Sequence, residues 1–437
     1  MYDILFENAT VLAPDFSGVL RNRVVGITGD KITFVRPMAD WHADIEAAER
    51  IDATDMLVMP GLVDCHMHTG QQLLRGRVLD SLPMVWTRIM LPFESTLTPE
   101  LMTLSAELAA LEMIKSGTVA FVDAGSYFMD RACDVYLQSG LRGVLSCSTM
   151  DEPGLPESIA MTTERAIEQA DELYDAYNGR GLLRIAYALR ALMSCSTELI
   201  EGTAEHAYSR GAMLQAHMNE YPAEVNYTLQ RFGIRPFEYL DQLHVLSEDF
   251  LAAHCLMLSE EEKNLIVDHG VKVCHCPFSN CAKAVPEAPS LRSRGIIEGL
   301  GSDGAAHGGL SLWSEMHLFR SIMNLTHGIQ IASPTIMPAD QVVRMATENG
   351  FKFMGVTDAG RVEEGARADL ITVSLRNYAM YPSGNIVNSL VECATASDVR
   401  DMVVNGKMVM RDREVLTLDE EAILAKADRY QEELNKL

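Results

Sequence analysis

Positive charge is scarce in this sequence. Its 437 residues carry 36 Lys and Arg against 61 Asp and Glu, a formal net charge of −25. Nucleic acid and anionic membrane surfaces are bound through a basic footprint, so neither is expected as a partner. There is no run of about 18 apolar residues of the kind that crosses a bilayer. The opening "MYDILFENAT" has acidic residues early and no basic stretch leading into an apolar one, so no secretory signal is expected. The nine cysteines are too thinly spread in a chain this long for a disulfide framework. They read as reduced thiols, and the expected location is the cytoplasm. Low-complexity tracts and repeats of about 20–50 residues are also missing, which excludes a solenoid. What is present is a hydrophobic content of 48%, enough for a sizeable core.

Texture divides the chain in three. The first 55 residues look like short strands, "DILFENATVLA" and "RVVGITGDKITFVRP", with Gly and Asp at the turns. From residue 56 to 365, apolar runs alternate with helical patterns. After the run that precedes His66 come "TVAFVDA", "RGVLSCS", "LLRIAYALR", "GAMLQAHMNE", "FLAAHC", "VKVCHC" and "IIEGLGSD", eight runs in all. Continuously apolar strands separated by helices imply a parallel sheet covered on both sides. Eight such units suit a (β/α)8 barrel. Residues 366–437 return to strand texture in "RADLITVSL" and "DVRDMVVNGKMVMRDREV", with Asn405-Gly406 as a hairpin signal. The expected architecture is α/β: a TIM barrel over 56–365 and a small β-sandwich domain built from both chain ends, 1–55 and 366–437. The chain is thus expected to start and end in strands.

Within the first apolar run lies "GLVDCHMHTG". Residues i and i+2 of a strand point to the same side, so His66 and His68 aim two imidazoles at one point. They end the first barrel strand, at the face where such barrels build their active sites. Other polar residues finish the later runs: His217 and then Glu220 in "QAHMNE", His254 in "LAAHC", His275 in "VCHCP" and Asp303 in "GLGSD". A lone histidine at a strand end is an ordinary satisfied polar residue. The set, in this order and at these positions, is a pattern for converging metal donors. "GLGSDG" also matches G-x-G-x-x-G, but it lies at the far end of the barrel pattern. Asp303 would put negative charge where a pyrophosphate must sit, so the match is a coincidence.

These segments carry a resemblance. "MPGLVDCHMHTGQQLLRG", "AHMNE", "AAHC", "HCPFSN" and "GLGSDGAA", with "GARADLITV" and "VVNGKMV" near the C-terminus, resemble the amidohydrolase superfamily. The similarity is to its branch of metal-dependent deaminases and chlorohydrolases, and it covers nearly the whole chain. The resemblance implies that His66, His68, His217 and Asp303 bind one divalent metal ion per chain. Zn2+ suits such N/O ligation, and Fe2+ and Mn2+ accept it too. It implies that Glu220 is no ligand but moves protons from water to the ring and the leaving amine. His254 would hydrogen-bond the attacking water or the tetrahedral centre, and Asp303 would double as the water's first base. Binuclear relatives carry a carboxylated lysine on the fourth strand; "LLRIAYALRALMS" has none, which argues for a single metal. The cytidine-deaminase signature is absent, since no Pro-Cys pair occurs. A thiolate site around His275 from Cys274, Cys276 and Cys281 is the less favoured reading of "VCHCPFSNC", with His275 behind the metal donors.

The implied activity is hydrolysis of an exocyclic amino group on a nitrogen heterocycle, a purine, pterin or related ring, with release of ammonia. Adenosine-type nucleosides and triazines are the alternatives. Three residues are candidates for contact with this small-molecule substrate. Trp86 is either a stacking surface or a packed aromatic. Glu94 resembles a glutamate that holds ribose hydroxyls, or is an exposed residue before the helix at Pro99. Arg190 departs from the adenosine-type pattern and suits a ring carbonyl, as in guanine-deaminase-like relatives. His307 in "DGAAHGG" is another departure, on the pocket wall or in a loop. A homo-oligomer is expected.

Overall fold

Alternation decides the first elements. In "KITFVRP" Ile32 and Phe34 are buried while Thr33 is exposed, the period of two of a strand with one covered face. The computed structural model describes every residue except 1, 42–45, 79, 81–83, 282, 334 and 435–437. Strands β1 (Tyr2–Leu12), β2 (Val19–Thr28) and β3 (Lys31–Pro37) form an antiparallel meander. Strands β4 (Ala47–Asp52) and β5 (Met56–Pro60) then join β1 in parallel.

The chain leaves this sheet at Gly61. It continues as β6 (Leu62–Met67), β7 (Thr118–Asp123), β8 (Arg142–Leu145) and β9 (Leu183–Ile185), a parallel arc of four. A second parallel arc holds β10 (Tyr187–Leu189), β11 (Leu214–Met218), β12 (Phe250–His254), β13 (Lys272–His275) and β14 (Glu298–Leu300). One apolar run supplies both β9 and β10. The Ala186 N–H still bonds Leu145 O at 2.8 Å, whereas Tyr187 N–H turns to Met213 O at 2.9 Å, so the ladder passes from one arc to the next. Every residue of β6 and β7 is buried, as parallel strands covered by helices require. The helix Pro99–Ser116 shows how that cover is set. Thr98 caps its first turn by accepting from Leu101 N–H, and Gly117 ends it in the left-handed region. It buries Met102, Ala106, Ala110 and Met113, at about 0.8 kcal/mol for each methylene removed from water.

The expected ring of eight strands is therefore seen as two arcs, and the ladder does not close between β14 and β6. That seam is held instead by Asp303 N–H on His66 O at 2.9 Å and by Ser302 on the Asp64 carboxylate.

Strands β15 (Leu370–Ser374), β16 (Val399–Val404), β17 (Lys407–Arg411) and β18 (Glu414–Val415) return antiparallel onto β5. The expected two-layer sandwich is one continuous mixed sheet in the order β18-β17-β16-β15-β5-β1-β2-β3, with β4 on β1. It folds back on itself. Gly406 N–H bonds Ala368 O and Ala368 N–H bonds Asp30 O, both at 2.9 Å, which brings the β16–β17 turn to the β2–β3 turn. Ile4, Phe6, Ile27, Ile32, Val58 and Leu370 share one core inside that fold. The chain does not end in a strand. Its last described element is the helix Glu420–Leu434, rich in Glu, Ala and Leu and capped by Asp419 on Ala422 N–H. Lys426–Glu107 at 2.6 Å and Lys115–Glu420 at 2.7 Å fasten it to the helix Pro99–Ser116. No described helix is long and apolar enough to cross a membrane.

Candidate metal centre

The parallel arcs bring their C-terminal ends together, and the polar residues found there converge. His66 lies near the end of β6 and His68 directly follows it, His217 lies near the end of β11, and His254 ends β12. Asp303 follows β14 by three residues. The end of β6 is clamped to the 302–303 backbone by Asp64, which accepts from Ser302 N–H at 3.0 Å, Ser302 Oγ at 2.6 Å and His66 N–H at 3.2 Å. A Cβ at Gly301 would fall 2.7 Å from His66 O, so that close approach needs glycine. This packing is the reason for the glycines of "GLGSDG". His254 and Asp303 have φ of 72° and 59°. Left-handed backbone is uncommon for such residues and collects at functional sites.

Four donors meet. His68 Nε2 is 3.1 Å from His217 Nε2, and Asp303 Oδ1 is 3.4 Å from His66 Nε2 and 3.3 Å from His68 Nε2. The donor atoms of His66, His68, His217 and Asp303 all lie within 4.8 Å of one another. Both ring nitrogens of His66 are buried without a hydrogen-bond partner, an arrangement that costs stability unless something else takes the lone pair of the unprotonated one. Burial, with the Arg190 charge beside it, pushes His68 down to about 3, and burial holds His217 well below its ordinary value. For Asp303 burial acts upward, but the neighbouring His66 and His68 rings outweigh it and hold the carboxyl well below its ordinary value. Neutral imidazoles and one carboxylate are the donor set of a borderline divalent ion. The residues fit a metal.

A second group faces them. Glu220 Oε1 accepts from Lys283 Nζ at 2.5 Å and lies 3.8 Å from His254 Nε2. Burial pushes the Glu220 carboxyl up, and His254 and Lys283 together outweigh it, so the group is held below its ordinary value. His254 Nδ1 pairs with Asn280 Oδ1 at 3.0 Å, leaving a buried Nε2 without a partner. His307 stands on the wall of the same cleft, its Nε2 3.3 Å from Asp303 Oδ2. Sequence reasoning missed Lys283. The available signal was its spacing of four from Ser279 in "SNCAK", one helical turn, across which Nζ donates to Ser279 Oγ at 2.7 Å.

His275 stands apart from this cluster. It is buried against Glu298 Oε1 at 2.8 Å and stacks on Phe319. Cys281 is exposed while Cys274 and Cys276 are buried, so no thiolate cluster forms around His275. Cys276 comes within reach of His66 and His254, but burial pushes its thiol up to about 12. All nine cysteines are free thiols.

Trp86 and Arg190 line the cleft together with His68, His217, Glu220 and Asp303. The Trp86 Nε1–H is buried and unpartnered. Residues 79 and 81–83 of the same segment lie outside the described residues. Glu94 is not an exposed residue. It is 1% exposed, and its Oε1 accepts from Arg190 Nη2 at 2.8 Å and Gln71 Nε2 at 2.7 Å, with Oε2 left unpartnered. Arg190 also donates to Gly125 O at 3.2 Å, and its Nη1 is 3.4 Å from His68 Nδ1. The guanidinium expected to read a ring carbonyl is largely engaged within the protein.

Known proteins share this arrangement of chain. The sequence model of the Amidohydrolase family matches residues 57–409. A 5-methylthioadenosine/S-adenosylhomocysteine deaminase of Pelotomaculum thermopropionicum is 34% identical over 439 residues, covering 98% of both chains. A 5'-deoxyadenosine deaminase of Methanosarcina mazei is 34% identical over 445 residues, covering 99% of both. Among solved structures, an adenosine deaminase from Xanthomonas campestris with bound zinc superposes with a TM-score of 0.92 at 28% identity, covering 100% of this chain and 99% of that one.

Proposed function

The chain belongs to the amidohydrolase family, and on that footing we propose that it is a metal-dependent deaminase of adenosine-type nucleosides. Water replaces the exocyclic amino group of the purine, and ammonia leaves. The observation that carries the nucleoside reading is the buried Glu94 carboxylate, held by Arg190 and Gln71 with Oε2 free to accept from a sugar hydroxyl. The similarity to proteins named for deamination of methylthioadenosine, S-adenosylhomocysteine and 5'-deoxyadenosine supports it. The expectation that Arg190 meets a ring carbonyl gives way. It needed a free guanidinium at Arg190, and that group is tied to Glu94 and Gly125.

One divalent ion, zinc, would be held by His66, His68, His217 and Asp303, with zinc favoured by the zinc-bound adenosine deaminase of the same fold. When bound, such an ion lowers the pKa of water towards neutrality and acts as a Lewis acid. The chain's own residues do the rest. Asp303 takes the first proton of the attacking water. Glu220 carries a proton to the ring nitrogen and then to the leaving amine, a transfer that contributes roughly 10²–10⁴-fold. His254, steadied by Asn280, presents Nε2 to the attacking oxygen. Trp86 gives the ring a face to lie against.

An ammonia-release assay on the zinc-loaded chain tests this reading. Its panel holds adenosine, 5'-deoxyadenosine, 5'-methylthioadenosine, S-adenosylhomocysteine, guanine, a pterin and an aminotriazine. The adenosine-type compounds are expected to be turned over best, and preference for guanine, the pterin or the triazine overturns it.

A further inference from the structure

Lys283 stands behind Glu220 and Asp303 of the cleft, and the proposed function gives it no task. Its side chain is only 8% exposed. A buried ammonium is costly unless its protons are taken up, and here each direction is filled. Nζ donates to Glu220 Oε1 at 2.5 Å and to Ser279 Oγ at 2.7 Å, and it sits 5.0 Å from the centroid of the Tyr221 ring. Ser279 Oγ donates onward to Asp303 Oδ2 at 2.5 Å. The two oxygens of Asp303 are thereby divided. Oδ1 faces His66 and His68, while Oδ2 faces Ser279, His307 and, at 4.0 Å, Lys283. An unbroken chain runs from Glu220 Oε1 through Lys283 Nζ and Ser279 Oγ to Asp303 Oδ2. It joins the two carboxylates on the side away from the imidazoles of His66 and His68.

The last torsion of a glutamate is broad and two-fold, so an unanchored carboxylate offers either oxygen over a wide range of angles. Proton transfer needs one oxygen at one place. We propose that Lys283 is a positioning residue for this step: it anchors Oε1 of Glu220 and so leaves Oε2 as the atom that carries the proton. The proposal rests on the reading of Glu220 as the proton carrier. It predicts that the charged donor of Lys283 matters and its bulk does not, since an apolar side chain of the same length can donate to neither the carboxylate nor the Ser279 hydroxyl.

Lys283→Met, which keeps the length without the charge, Lys283→Arg and Ser279→Ala are measured on the zinc-loaded full chain. Lys283→Met is expected to retain its metal and to keep KM within about 3-fold, while kcat falls by roughly 10–10²-fold, the scale of a misplaced reacting group. Lys283→Arg should recover most of that loss, and Ser279→Ala should show a smaller loss of kcat. In a Glu220→Gln background Lys283→Met should cost less than about 2-fold, because a residue acting through Glu220 has nothing left to act on. A full loss in that background, or Lys283→Met within 2-fold of wild type, overturns the proposal. If wild-type protein turns over none of the panel, the proposed function fails and a crystal structure of Lys283→Met decides the present point. Glu220 turned from its wild-type position supports it, and Glu220 unmoved overturns it.

Discussion

Glu224 is a carboxyl group that the fold keeps protonated at neutral pH, and that condition has a measurable price. The residue is 3% exposed, its Oε2 accepts the Glu220 N–H at 2.9 Å, and its Oε1 has no partner. Burial pushes it up from an ordinary 4.5 to about 8, against backbone hydrogen bonds that pull the other way. A carboxyl raised in the folded state holds its proton to higher pH there than in the unfolded chain. Stability is therefore lost as pH rises from about 4.5 to about 8 and changes no further above that. At about 1.36 kcal/mol per unit, the loss between pH 5 and 8 is roughly 3–4 kcal/mol. Glu224→Gln removes the titration. Its amide oxygen still accepts from Glu220 N–H, and its unpartnered NH2 adds a pH-independent cost of about 1–3 kcal/mol. The difference in unfolding free energy, variant minus wild type, should then rise by roughly 3–4 kcal/mol between pH 5 and 8. Urea denaturation of both metal-loaded proteins at several pH values measures it, and titrations at the metal donors are common to both and cancel. A difference that stays flat or falls with pH would refute the reasoning.

Purified protein is expected to carry about one tightly bound divalent ion per chain by elemental analysis, and His68→Ala should lower metal content and activity together; two ions per chain would defeat the single-site reading. Glu220→Gln keeps shape and metal while turnover falls by roughly 10²–10⁴-fold; loss of metal in that variant would make Glu220 a ligand. Arg190→Met leaves the buried Glu94 carboxylate with Gln71 as its remaining partner, and should destabilise the protein by about 3–5 kcal/mol in denaturation experiments. The same variant should raise KM for adenosine-type substrates through the displaced Glu94; an unchanged melting temperature would show that the pair contributes no net stability.

Local pattern carried the fold as far as local pattern reaches. Each of the eight apolar runs contains a parallel strand, because continuous burial on both faces leaves a mark on every residue. The run "LLRIAYALR" illustrates the limit: its break at Ala186 depends on whether Leu145 or Met213 offers the next carbonyl, and neither is near in sequence. The break in "MLVMPGLV" at Gly61 is similar, since β5 pairs with β1 and β15 while β6 pairs with β7. The terminal sheet was legible as strands from both ends. That it is one folded-back sheet depends on Arg367, Asp30 and Asn405 meeting across it. The helix Glu420–Leu434 has a helical composition, but it follows directly on the stronger strand pattern of the residues before it.

The site divides along the same line. Donors at strand ends could be found because strand position and chemistry coincide in one short motif each. What sets the charge of a group could not, since the setting residue comes from elsewhere. Glu220 and Glu224 are four residues apart in "NEYPAE", bonded to each other through Glu220 N–H and Glu224 Oε2; the spacing from His217 singles out Glu220, but nothing local tells the charge of either. In the fold they are opposites. Glu220 is held as a carboxylate by His254 and Lys283, which reach it from 34 and 63 positions along the chain, while among the described residues no ion pair reaches Glu224, and burial holds it as an acid. A pair of titratable groups pushed apart by their surroundings is the usual mark of divided acid–base labour. A second carboxylate charged beside Glu220 would compete for Lys283 and repel the Glu220 carboxylate, so a neutral Glu224 secures the backbone of Glu220 without contesting its contact with Lys283.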